Sequence, residues 1–458
     1  MATNHPTAVR SVEDRDAERT TPTGTSARSW AIVALLLVFF TLNFADKAAI
    51  GLAAGEIKED LGLSESQYGL VSSAFFWLFA VGAVVLTLWF KRVGYLFAGA
   101  ALMTAWGLSM LPLTVPTTFG VLIASRVVLG FFEGPAHALC QSIVADRFPP
   151  EKRAFAGAVV NAGSSIGPLI AAPTLTWVIL TWSWHASFMA LIAIGVVWTV
   201  VWLLVVRGEP GMRRQTRSDV LGTATTGQVH EDGDIDVPLT SLLKTGSFWG
   251  LAMLSFAGYL ISSLKVAWLP SFLGDGMGYS PSAVGWLVTL PYLAAVVVLL
   301  TAGLLSGHLL RRGFSSHVAR GWLTTAYLVF AGVCMIAFTQ VSPGRLQLVL
   351  VVCAFAINSV AFSVAFAGAA DFLPSRHRPG FFGCIIAAYS VAGIVAPYVL
   401  GVIVDAGATV AEGYANGFLI VGLTICVFAV IGGYLLDPAR SRAALVEETR
   451  RRRESSVL

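Results

Sequence analysis

Apolar residues in this chain do not alternate with polar ones. They come in runs near twenty residues long, set apart by short polar links. A helix of about 20 residues crosses the ~30 Å hydrocarbon core of a bilayer. The runs fall at roughly 30–54, 67–90, 94–114, 118–145, 153–181, 184–206, 248–272, 281–306, 317–339, 346–370, 380–403 and 415–436, and predict twelve transmembrane helices. The longest link, 207–247, is polar, with Arg213, Arg214, Arg217 and an acidic run from Glu231 to Asp236, and divides the runs into two sets of six. The expected organisation is a disordered tail over 1–28, a six-helix bundle over 29–206, a linker over 207–247, a second bundle over 248–437 and a basic tail over 438–458. The first apolar run is a full span behind a polar stretch, which favours an uncleaved helix over a cleavable signal peptide.

Composition agrees with a bilayer environment. Hydrophobic residues are 56% of the chain, charged residues 12%, and mean hydropathy is +0.75. A soluble protein carries about twice that charged fraction. The net charge of +4 is too small to suggest a nucleic-acid partner. Cys140, Cys334, Cys353, Cys384 and Cys426 all lie in apolar runs without metal-ligand spacing. They read as small buried hydrophobes, with no disulfide framework, metal or cofactor implied.

The distribution of charge sets the orientation. Of the 30 Lys and Arg residues, Lys58 and Arg345 fall in loops on one side, and Lys47, Arg126 and Lys265 fall inside runs. The other 25 lie with the termini, among them Arg28, Lys91, Arg92, Arg147, Lys152, Arg153, Arg311, Arg312, Arg376, Arg378 and Arg450 to Arg453. The expectation is a multi-pass protein of the bacterial cytoplasmic membrane with both termini cytoplasmic, functional as a monomer. The arginine run at 450–453 reads as an inside anchor, with lipid binding as the alternative.

The two halves echo each other. Ser64-Glu65-Ser66-Gln67-Tyr68-Gly69 before run 2 returns as Ser280-Pro281-Ser282-Ala283-Val284-Gly285 before run 8, 216 residues later. Ala145-Asp146 with Pro149 returns as Ala370-Asp371 with Pro374 at an offset of 225, and Gly157 and Gly167 return as Gly383 and Gly393 at 226. A repeated six-span bundle places a solute site between the halves near the membrane midplane.

Charges inside apolar runs mark candidates for that site, because a charged side chain at the bilayer centre costs at least ~2.5–3.5 kcal/mol. Asp46 and Lys47 lie in run 1, Arg126 and Glu133 in run 4, and Lys265 in run 7. Arg126 and Glu133 are seven apart and share a helix face, whereas the adjacent Asp46 and Lys47 point about 100° apart. Lys47, Arg126 and Lys265 would attract a carboxylate, and a buried carboxylate that switches solvent sides can load and release a proton. The alternative is a buried ion network that only fixes packing. His137, one turn beyond Glu133, reads as a packed residue before it reads as a relay.

Four stretches carry a family resemblance: Asn43-Phe44-Ala45-Asp46-Lys47; Arg126-Val127-Val128-Leu129-Gly130-Phe131-Phe132-Glu133-Gly134-Pro135-Ala136; Phe148-Pro149-Pro150-Glu151-Lys152-Arg153, leading to Gly163, Gly167-Pro168 and Pro173; and Trp268-Leu269-Pro270-Ser271-Phe272. Over about residues 30–436 the chain resembles the major facilitator superfamily and, within it, the anion:cation symporters, which carry organic anions. The second stretch matches that family's Arg-x-x-x-Gly-x-x-Glu-Gly pattern. The resemblance implies an all-α membrane protein of twelve transmembrane helices in two pseudo-symmetric six-helix bundles. It also implies proton coupling at Asp46 and Glu133.

The chain departs from the pattern in three places. Lys91 stands where the loop between runs 2 and 3 usually has an acid, Gly307 stands at the matching place in the second half, and Trp184-His185 replaces a usual Trp-Arg. In the family the loop acid latches the halves on the cytoplasmic side, so the inner gate must be held otherwise. Sugar-acid carriers of the family often read Ala-Phe-x-Trp-x-Tyr-x-x-Gly-Gln in run 2; here Phe79 and Ala83 lack the hydroxyl and the amide. That points to an aromatic or poorly hydroxylated carboxylate, unless Phe79 merely packs. Asn161, Ser164 and Ser165 in run 5, with Asn358 and Tyr389 in the second half, are further lining candidates. Helix–helix hydrogen bonds explain them equally well.

The function expected is secondary active symport of a small organic anion with protons, by alternating access. No nucleotide-binding loop is present and no enzyme chemistry is expected. Proton-antiport export of a metabolite or drug, or solute sensing on the same fold, remain the rival readings.

Overall fold

The computed structural model describes residues 27–148, 150–208, 237–369, 372–373 and 378–455. Outside them lie residues 1–26, Pro149, the linker stretch with Arg213, Arg214, Arg217 and its acidic run, Ala370, Asp371, Pro374, Arg376 and residues 456–458.

Among the described residues the chain is helical without strands, and twelve helices are long and apolar enough to cross a membrane. Spans 1 to 6 are Ala27–Leu52, Glu65–Phe90, Tyr95–Thr114, Phe119–Arg147, Phe155–Thr181 and Trp184–Val206. Spans 7 to 12 are Gly246–Ala267, Pro281–Arg311, His317–Phe338, Arg345–Ala369, Gly380–Asp405 and Val410–Leu435. Leu204 is 71% and Leu304 72% exposed. Large apolar side chains facing outward in such numbers make a surface suited to lipid rather than water. A last helix, Pro438–Ser455, is pinned beneath the second half by bonds from Ser441 to Ser247 (2.7 Å) and from Ser241 to Glu448 (2.6 Å).

Local sequence explains the helix starts. Ser64 opens span 2 with a capping box: its hydroxyl accepts from the Gln67 amide, and the Gln67 side chain accepts from the Ser64 amide. The Thr118, Ser183, Thr245 and Thr409 side chains likewise accept from amides in the first turns of spans 4, 6, 7 and 12. Spans 2 and 4 pack backbone to backbone, because Gly130 sits directly on the Phe75 carbonyl, where a β-carbon would overlap it.

Several spans are interrupted for a residue or two. Span 2 breaks at Leu78, span 4 between Glu133 and Ala136, span 5 at Ala162, and span 10 between Ala356 and Ser359. Span 7 is followed by a break at Trp268. Backbone hydrogen bonds bridge most of these breaks, as from the Gly82 amide to the Leu78 carbonyl and from the Trp268 amide to the Leu264 carbonyl.

The halves meet at the end away from the termini. Lys58, just past span 1, bonds Glu65 of span 2 at 2.8 Å and crosses to Asp275 after span 7 at 2.9 Å. Asp405, at the end of span 11, accepts from the Glu65 and Ser66 amides at 3.0 and 2.8 Å, placing an anion at the positive start of span 2. Deeper in, the Tyr68 hydroxyl donates to the carbonyls of Ile50 and Ala267, and the Tyr398 amide donates to Ser73. Burial by itself would lower the Lys58 pKa. The bonds and charges of Glu65 and Asp275 outweigh it and hold the ammonium above the ordinary lysine value.

Candidate functional site

Three polar side chains close a ring in the first half. The Lys47 Nζ lies 2.7 Å from Glu133 Oε2 and donates to Asn43 Oδ1 at 2.6 Å. Asn43 Nδ2 donates in turn to the same Glu133 oxygen at 2.9 Å. Asn43 and Lys47 are one turn apart on span 1, so both face span 4. Glu133 is the last residue before the span 4 break. Asn43 is a residue the sequence reading passed over as a site group. Its signals were its place at the head of the Asn-Phe-Ala-Asp-Lys stretch and its one-turn spacing from Lys47.

Aromatic rings surround this ring of polar groups. The Lys47 Nζ is 4.6, 5.5 and 6.0 Å from the ring centres of Phe44, Phe75 and Phe79. Arg126 also lies against Phe75, with its Cζ 5.0 Å from the ring centre. Such cation–π contacts are each worth about 0.5–2 kcal/mol, more where water is excluded. Arg126 is 2% exposed, and its Nε and Nη1 have no hydrogen-bond partner. Glu133 Oε1 and Asp46 Oδ1 are likewise buried and unpartnered.

Asp46 and Lys47 diverge as their spacing predicts. Lys47 turns to span 4, while Asp46 borders a slot of about 10 Å³ against Trp106 of span 3 and Ile192 of span 6. The Asp46 carboxyl remains a near neighbour of Glu133. Two acids and two cations thus share one buried region of the first half.

The second half repeats part of the arrangement. The Lys265 Nζ donates to Asn358 Oδ1 at 2.7 Å and to the Phe355 carbonyl at 3.2 Å, and lies 4.4 Å from the Tyr292 ring centre. Lys47 and Lys265 are 218 residues apart, Phe75 and Tyr292 are 217 apart, and Glu133 and Asn358 are 225 apart. These offsets lie within two residues of those of the sequence repeat. Each ammonium therefore sits on a ring from the second span of its half and bonds the residue at the break in the fourth. The first half offers it a carboxylate, the second an amide.

The remaining candidates separate into two groups. Phe79 and Tyr389 are half-buried among rings. Phe79 touches Phe75 and Phe76 at 5.6 and 6.1 Å between centres, and Tyr389 touches Tyr259 and Phe362 at 4.7 and 5.2 Å. Asn161 and Ser164 are not drawn into the Lys47 cluster. The Asn161 side chain accepts from Gln141 at 3.2 Å, and the Ser164 hydroxyl donates to the Asn161 carbonyl at 2.8 Å. His137 packs on Phe40 at 5.8 Å and beside Asn161. Among the described residues no group of three or more His, Cys, Asp and Glu could hold a metal ion.

Comparison with known proteins matches this architecture. The Major Facilitator Superfamily profile matches residues 35–318 and 266–457. The chain is 26% identical to the hexuronate transporter of Bacillus subtilis over 407 residues, covering 87% of this chain and 92% of the relative. It is 27% identical to the D-galactonate transporter of Escherichia coli O6:H1 over 410 residues, covering 87% and 93%. Among solved structures it resembles a bacterial homolog of the human lysosomal transporter Spinster in an inward-facing, unoccupied conformation. The TM-score is 0.74 at 17% identity, over 92% of this chain and 99% of that one. The twelve spans in two related halves and the match along almost their whole length lead to one assignment: the chain belongs to the Major Facilitator Superfamily.

Proposed function

We propose that the protein moves a small organic anion across the bacterial cell membrane together with protons, by alternating access. The Lys47–Glu133 pair at 2.7 Å is the observation that carries this reading. With Lys47, Arg126, Asp46 and Glu133 all ionised, the first-half region is neutral by count. A proton on either acid leaves one cation in excess, and a buried unpaired charge costs several kcal/mol. A carboxylate beside Lys47 or Arg126 restores the balance, so proton and anion favour each other's binding. Lys265 faces an amide and a carbonyl rather than a carboxylate; as an ammonium it would draw the anion from the second half.

In this reading Asp46 and Glu133 carry protons. Lys47, Arg126 and Lys265 hold the carboxylate, Phe79, Asn358 and Tyr389 shape its surroundings, and Asn161 and Ser164 line the approach. The relatives named for hexuronate and D-galactonate support an organic acid as solute. Phe79 and Ala83 favour one with few hydroxyls. The basic loops and tails face the cytoplasm, so the end sealed by Lys58, Asp275 and Asp405 faces outward. The protein works as a monomer.

A thermal-shift screen of organic acids on the purified protein tests the reading. The expectation is a raised Tm with at least one carboxylate, and no such rise in Arg126→Ala. Equal shifts in both proteins would remove Arg126 from the binding site.

A further inference from the structure

The charged pocket of the first half is joined to the second half by an unbroken series of rings. Phe75, which carries Arg126 and Lys47 on its ring, touches Phe76 at 4.9 Å between centres. Phe76 touches Tyr259 of span 7 at 5.6 Å, edge to face. Tyr259 touches Tyr389 of span 11 at 4.7 Å and Phe362 of span 10 at 6.1 Å. Phe76, Tyr259, Phe362 and Tyr389 are all half-buried, in contrast to Phe75, which is 1% exposed.

Phe76 also lies along the contact between spans 2 and 11 that runs in from Asp405 through Ser73. It is seated against Gly393, where any β-carbon would come within 2.8 Å of the ring. The absence of a side chain at Gly393, one turn past Tyr389, is what lets the ring lie across the boundary. Beyond it, toward the termini, Phe79 is half-buried.

We propose, resting on the anion-transport reading above, that these rings form the subsite for the non-ionic part of the substrate, and that the substrate is an aromatic monocarboxylate. The carboxylate sits at the unpartnered N–H edge of Arg126. The planar ring lies against Phe76, Tyr259 and Tyr389, and so contacts both halves at once. Aromatic faces reward a flat apolar ring through offset or edge contacts. Beyond the Tyr259 and Tyr389 hydroxyls they offer little to a chain of hydroxyls, each of which would need a hydrogen-bond partner here. Tyr259 and Phe76 are then specificity-determining residues, because they carry the ring–ring contact between the halves that a bound ring must join or replace.

The test is calorimetric binding to the purified full-length transporter, with phenylacetate and benzoate set against acetate and gluconate. The proposal expects the aromatic acids to bind at least about tenfold more tightly than either other acid. It expects Tyr259→Leu and Tyr389→Leu to lower phenylacetate affinity about tenfold, toward that of acetate, with Tyr259→Phe close to the original protein. A preference for gluconate in the unaltered protein would overturn the aromatic subsite and leave anion transport intact. Undiminished phenylacetate affinity in both Leu variants would also overturn it. Failure of the unaltered protein to bind any of the four acids would overturn the subsite and the reading it rests on. The unaltered protein's ranking of the four acids decides the matter even where a Leu variant does not fold.

Discussion

Lys47 and Lys265 hold matching places in the two halves and meet opposite partners: a carboxylate oxygen of Glu133 at 2.7 Å for one, the amide oxygen of Asn358 at 2.7 Å for the other. The two sites share a supporting ring and a broken helix, but one lysine faces an acid and the other an amide, and the first half alone adds Asn43, Asp46 and Arg126; that is the asymmetry. A lysine facing an acid is neutralised until that acid takes a proton. A lysine facing an amide has no carboxylate to neutralise it.

Exchanging that asymmetry gives the first prediction. Asn358→Asp gives Lys265 a permanent counter-charge and should weaken anion binding by about tenfold or more, the weight of a hydrogen bond to a charged group. Calorimetry with the best acid from the screen would measure it. Unchanged affinity would show that Lys265 does not meet the anion.

Lys47→Met removes the ion-pair partner at 2.7 Å from buried Glu133 and leaves its Oε2 with the Asn43 bond alone. Breaking a buried pair from one side costs about 3–5 kcal/mol, while removing both partners is far milder. The single variant should therefore lose much of its thermal stability in detergent, and Lys47→Met with Glu133→Gln should recover most of it. Lys47→Arg should stay close to the original. A double variant no better than the single one would mean that the pair does not stabilise the bundle.

Much of this arrangement was legible in the sequence. Twelve apolar runs of membrane length gave twelve spans, since a bilayer forces backbone hydrogen bonds into helices and leaves few alternatives. The 100° divergence of Asp46 and Lys47 and the shared face of Arg126 and Glu133 followed from helix geometry alone. Asn43 did not stand out, because a buried amide in a span is usually a packing group and only the oxygen of Glu133 opposite it shows otherwise. The correspondence of Phe75 with Tyr292 was hidden because a Phe and a Tyr in apolar runs carry no periodic signal. The breaks at Leu78 and between Ala356 and Ser359 contain neither Pro nor Gly, so nothing local announced them. The seal at Lys58 depends on which ends of the halves are together, a property of conformation rather than of any one stretch.

Close packing between spans 2 and 4 supplies another check. Gly130→Ala would drive a methyl into the Phe75 carbonyl and shift the helix that carries Arg126 and Glu133. Overpacking of this kind costs about 1–3 kcal/mol, so a lowered Tm is expected together with weaker anion binding. Gly120→Ala, at a position with open space around it, is the control and should leave Tm unchanged or slightly raised. Equal behaviour of the two variants would contradict the packing.

The sealed end yields a prediction with a pH sign. Lys58 is held above its ordinary pKa, so its contribution is complete at neutral pH and is lost only as pH rises through that elevated value. Between pH 6 and 9, on the order of the range where an ordinary lysine is still charged, the seal should stay closed. Lys58→Ala with Asp405→Asn should open it. The readout is labelling of a cysteine placed at Ser73: slow in the parent across that range and several-fold faster in the double variant. Labelling unaltered by the two substitutions would show that these ion contacts do not hold the halves together.

The central claim is that Asp46 and Glu133 couple protons to the movement of an organic anion. It is tested most directly by uptake into proteoliposomes with an acidic exterior and a labelled carboxylate. The account predicts uptake that rises with the pH gradient in the unaltered protein and is abolished in Asp46→Asn and in Glu133→Gln, with some exchange of labelled for unlabelled anion retained. Full gradient-driven uptake in both variants would contradict it.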